Sequence, residues 1–101
     1  MTNISQARKA ATARILDGDG KSSSQHRHAA FRNQEVPEGV RALIEKIAKH
    51  AYKVTDEDIA AAKAAGFTED QIFELSVCAA IGQATRQYEN AIAALEAATK
   101  E

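Results

Sequence analysis

The apolar residues of this chain fall into stripes at helical spacing. Ile4, Ala7, Ala11 and Ile15 form the first, which Gly18 and Gly20 end, so the spacing predicts a helix over 4–16. Val40, Leu43, Ile44, Ile47, Ala51 and Val54 form the second, with Arg41, Glu45, Lys46 and Lys49 outside it. Pro37 stands ready for that helix's first turn. Between them, residues 17–36 carry no sustained period and are rich in Gly, Ser and polar side chains. They predict a long loop, with a short turn at most around Ala29 to Arg32.

The stretch from Val54 to Ile81 is the most fully specified. Thr55 with Asp58, and Thr68 with Gln71, have capping-box spacing. Val54 with Ile59, and Phe67 with Ile72, are placed as hydrophobic staples. Gly66 falls where the first of two helices must stop and the backbone must turn left-handed. Acidic residues occupy both first turns, where the helix dipole favours them. A final helix from Glu69 towards Glu101 follows, ~48 Å long at 1.5 Å per residue. From Ile72 to Gly82 it reads apolar almost all round. Beyond Gly82 one stripe continues through Ala84, Tyr88, Ala91, Ile92 and Leu95. The small residues from Ser76 to Gly82 favour close approach by another helix, from this chain or a second copy. Gly82 itself costs about 0.8–1 kcal/mol relative to Ala in a helix interior. The expected fold class is all-α: an N-terminal helix and polar loop over 1–36 and a helical core over 37–101, one domain overall.

Composition sharpens this picture. The chain has 101 residues, 45% apolar but only 5% aromatic, so its core is built of Ala, Ile, Leu and Val. Ala buries little area, and such a chain gains by pressing its helices against a second copy. The lone Cys78 points to a reducing compartment. No run is long enough to span a membrane, and the N-terminus lacks the apolar core of a signal peptide, so the expectation is cytoplasmic. The net charge of -1 hides an asymmetry, about +4 up to Gln34 and about -5 after it. With no interleaved aromatics and no dense Lys/Arg cluster, the basic arm argues for packing on an acidic body rather than for nucleic acid.

Motifs with chemistry are few. Gly20-Lys21-Ser22 ends like a phosphate loop, but Ile15 stands where its first glycine belongs. Asp17-Gly18-Asp19-Gly20 opens like a calcium loop, but Lys21 occupies a ligand position and no closing Glu follows. His26 and His28 have no nearby Cys to complete a metal set, and a solvated loop accounts for them. No cofactor or metal is expected. Glu74 and Cys78 lie one turn apart, so a carboxylate could serve as base to a thiol. The competing reading makes Cys78 a small buried hydrophobe among Leu75, Val77, Ala79 and Ile81, and therefore inert. His50 flanks the second stripe, and Arg86 is expected to pair with a carboxylate.

Residues 44–95 resemble the C-terminal half of an AhpD-like (carboxymuconolactone decarboxylase-like) domain. Val54-Thr55-x-x-Asp58, Ala64-Ala65-Gly66-x-Thr68-x-x-x-Ile72 and the long helix with Arg86 and Ala91 to Leu95 carry the likeness. It implies an all-α fold assembled as trimers or hexamers. Peroxidase members of that family carry a Cys-x-x-Cys before the hairpin, and this chain has none. Cys78 lies after the hairpin and does not inherit the role. The resemblance therefore implies a helical oligomer without the dithiol site, binding a partner or small ligand. The alternative is an enzyme with a non-dithiol pocket between subunits, its candidates being His50, Glu74 and Arg86. A weaker third reading is an antioxidant working through Cys78 alone.

Overall fold

The hairpin forms as its caps dictate. In the computed structural model, which describes residues 2–99, Asp58 N–H donates to Thr55 Oγ1 while Thr55 N–H donates to the Asp58 carboxylate. Thr68 and Gln71 exchange the same pair of bonds, at 2.9 and 3.1 Å. Gly66 has φ +101°, with Phe67 N–H donating to Ala62 C=O and Gly66 N–H to Lys63 C=O. Both bonds satisfy carbonyls that the helix end would otherwise orphan.

Around that hairpin the chain is all-helical among the described residues. The order is α1 (Thr2–Asp17), α2 (Ser24–Arg32), α3 (Glu38–His50), a 3-10 turn (Ala51–Lys53), α4 (Asp56–Ala64) and α5 (Glu69–Thr99). The core gathers where α2 and α3 lie against the first half of α5. Leu43, Ile44, Leu75, Val40 and Cys78 are its largest fully buried side chains. The side chain of Ile4, the first position of the N-terminal stripe, lies outside the described residues.

Four expectations need correction. The polar stretch over 17–36 is not a long loop: residues 24–32 are helical. Ser23 caps that helix by accepting from His26 N–H, and Asn33 closes it with φ 54° while Gln34 N–H returns to Ala29 C=O. The α3 stripe does not run through to Val54. Helix α3 ends at His50, and the 3-10 turn redirects the chain so that Val54 enters the next cap extended. The first half of α5 is not enclosed on all sides, since Phe73 is 69% exposed and Ala80 is also exposed. Among the described residues Arg86 does not pair with a carboxylate. Its Nη1 donates to Phe31 C=O at 2.7 Å and its Nη2 to Gln83 Oε1 at 3.1 Å.

The Arg86 contact explains Gly82. A Cβ there would collide with the backbone of Phe31, its carbonyl first, so glycine is what lets the end of α2 settle on α5. The small-residue stretch thus receives a helix of its own chain. Helix propensity alone predicts that Gly82→Ala gains about 0.8–1 kcal/mol. Overpacking predicts a loss of about 1–3 kcal/mol, and a denaturant melt should show the loss. In the hairpin, Thr68→Ala should cost about 0.5–2 kcal/mol through the lost cap. Gly66→Val should cost more, because a β-branched side chain resists φ > 0. The same melts, run on each variant, measure both.

Candidate functional site

Helix α1 packs lightly over α5 and leaves a concavity on each flank. The larger, a groove of about 690 Å³, runs between one face of α1 and the C-terminal half of α5. Its floor is apolar, from Leu16, Tyr88, Ile92 and Leu95. Arg8 and Lys9 stand on the α1 side and Glu89 and Glu96 on the α5 side. The Arg8 guanidinium carbon lies 3.9 Å from the centroid of the Tyr88 ring, a cation–π contact that ties the two walls together. At one end His28 Nε2 meets Asp17 Oδ1 at 2.7 Å, and Ser24 Oγ donates to the same oxygen at 2.8 Å. The His28 and Ser24 hydrogen bonds hold the Asp17 carboxyl below its usual range.

The smaller concavity, a cleft of about 420 Å³, lies on the other flank of α1. Arg14, Ile15 and Asp19 face Phe73, Glu74, Val77 and Cys78 of α5, with Arg27 of α2 between. Glu74 is the anchor of the chain between α1 and α2. Its two oxygens accept Lys21 N–H at 2.7 and 2.9 Å and Ser22 N–H at 2.7 Å. Burial raises its carboxyl pKa, but these backbone donors, helped by Arg27, outweigh that and leave it below its ordinary value. A carboxylate held ionised in this way is a poor proton acceptor. Arg27 is 6% exposed; its Nη1 donates to Ile15 C=O at 2.8 Å, capping the end of α1.

The four candidate residues are placed differently from one another. Glu74 and Cys78 do share a face of α5, and both border the cleft. Cys78 is 1% exposed, and burial pushes its thiol pKa up; Arg27 opposes that shift and Glu74 adds to it. Arg86 lies two turns further along α5, spent on Phe31. His50 is exposed at the end of α3, its ring edge-on to Tyr52 at 6.0 Å. His26 and His28 do not converge either, since His28 meets Asp17 while His26 lies 6.1 Å from the Phe67 ring. No group of three or more His, Cys, Asp or Glu among the described residues is arranged to hold a metal ion. No described helix is long and apolar enough to cross a membrane. The residue that sequence reasoning missed is Arg27, set aside between two histidines in an apparent loop.

No family model, curated protein or solved structure matches this chain.

Two measurements follow from this geometry. Cys78 should react slowly with a disulfide reagent in the native protein and rapidly once unfolded. Because the folded pKa of Glu74 is depressed, its contribution to stability is complete above the ordinary value of 4.5 and lost as pH falls through the folded value. Glu74→Gln should therefore be most destabilising near neutral pH, and its melts should converge on wild type in acid.

Proposed function

We propose that this chain is a non-catalytic, AhpD-like helical subunit that assembles with copies of itself through the groove between α1 and the second half of α5. The observation that carries the reading is the groove's composition. Its floor is apolar, and Leu95, 60% exposed, stands at its edge. Apart from Asp17, which His28 and Ser24 engage at one end, its charges are segregated by wall, with Arg8 and Lys9 on α1 and Glu89 and Glu96 on α5. An α5 from a second copy would bring Glu89 and Glu96 to Arg8 and Lys9 while burying the exposed apolar positions, so the surface complements itself. The hairpin with left-handed Gly66 and both capping boxes, running into a 31-residue helix, supports the AhpD-like architecture. Against the enzymatic reading, Glu74 and Arg86 are engaged with backbone groups of other segments, Cys78 is enclosed, and His50 stands apart.

The test is the mass of the native protein in solution, by sedimentation or light scattering. Wild type should exceed the monomer mass at micromolar to millimolar concentration. Leu95→Glu should shift it to monomer without altering helicity, since that side chain is exposed within one copy. Added salt should weaken the assembly, because its rim pairs are solvent-exposed. A wild-type protein that stays monomeric throughout would overturn the reading.

A further inference from the structure

We propose that the Arg27 cleft binds a small organic monocarboxylate with a short apolar body. The inference stands apart from self-association, because cleft and groove occupy opposite flanks of α1. It begins with an imbalance at Arg27. A guanidinium has five N–H donors. Here one bond is made, to Ile15 C=O, and Nε is buried with no acceptor among the described residues. A charge taken out of water is costly unless it is paired.

The neighbouring carboxylate acts on Arg27 through its charge but takes none of its N–H donors. Glu74 makes no ion pair with Arg27, and its oxygens already accept three backbone N–H bonds. Gly20 sits between the two. A Cβ there would lie 3.1 Å from Glu74 Oε1 and 3.3 Å from Arg27 Nη1, so any side chain would crowd both groups. Arg27 thus remains a buried cation bordering an open cleft, with the exposed Arg14 as a second cation and the exposed Asp19 beside it.

The rest of the cleft selects the ligand. A carboxylate matches a guanidinium in shape and charge and takes two of its donors at once. Ile15, Val77 and Phe73 give the cleft hydrocarbon walls that suit a short apolar body, and the exposed Arg14 stands with Asp19 beside it. Phe73, largely exposed within this chain, gains cover when an apolar tail lies against it. Inorganic phosphate would leave those walls wet.

The experiment is a titration of the intact protein with pentanoate, followed by the Arg27 Nε–H and the Ile15 and Val77 methyl resonances. Pentanamide and inorganic phosphate serve as the comparison probes. Pentanoate should shift these signals saturably, with pentanamide and phosphate at least tenfold weaker. Arg27→Lys should weaken pentanoate at least tenfold. Ala11→Leu, which narrows the cleft without touching Arg27, should do the same while leaving helicity intact. If Arg27→Lys fails to fold, Ala11→Leu alone decides. Equal binding of phosphate, equal binding of pentanamide, or no saturable shift with pentanoate would each overturn the proposal.

Discussion

The fold depends on one close approach, the seating of the last turn of α2 on Gly82. A helix ends with carbonyls that have lost their partners, and burying them unpaired costs as much as losing a hydrogen bond. Helix α2 accounts for its own. Ala29 and Ala30 C=O receive Gln34 and Asn33 N–H, and Phe31 C=O receives Arg86. The last of these needs the carbonyl to lie almost on the α5 backbone, which only a glycine allows. Arg86 then brings a cation to the negative end of the helix dipole. Remove the close approach and the packing of α2 on α5, the helix pair most in contact, is lost.

The same economy governs the other end of α2. Glu74 collects the chain entering α2 by its backbone N–H groups, and Arg27 collects the chain leaving α1 by its carbonyl. Glu74 reaches across more than 50 residues and Arg27 across 12, and together they fix the connection between α1 and α2. Polar groups that look like catalytic machinery along the sequence are therefore consumed by architecture. Arg27 is the exception, being larger in bonding capacity than its structural task requires.

Much of this was legible along the chain, and the illegible part has a single cause. Local rules wrote out the hairpin: a cap with its reciprocal partner, a staple, and a glycine at φ > 0 all act within six residues. Helix α2 obeys local rules as well, with Ser23 at its start and left-handed Asn33 at its end. Its period was hidden because Arg27 stands where a hydrophobe would complete the spacing with Ala30 and Phe31. The partners of Gly82, Arg86 and Glu74 were beyond reach for a different reason. Each is more than 50 residues distant in sequence, and no periodicity records such a pairing.

The shape of the molecule sets what the remaining surface can do. Its principal extents are 54 × 29 × 19 Å, so one copy is a rod rather than a ball. A rod built on an Ala-rich core buries a smaller share of its apolar surface than a sphere of the same volume. The shortfall is concentrated where α5 runs beyond α2 and α3 with only α1 lightly against it. Apolar residues continue there at helical spacing, although Leu95 is left 60% exposed. Ordering that last stretch of helix costs backbone entropy at every residue, which propensity alone barely offsets. A second copy of α5 in the groove would supply the missing burial, and the order of the helix and the assembly of the chain would then rest on the same contacts.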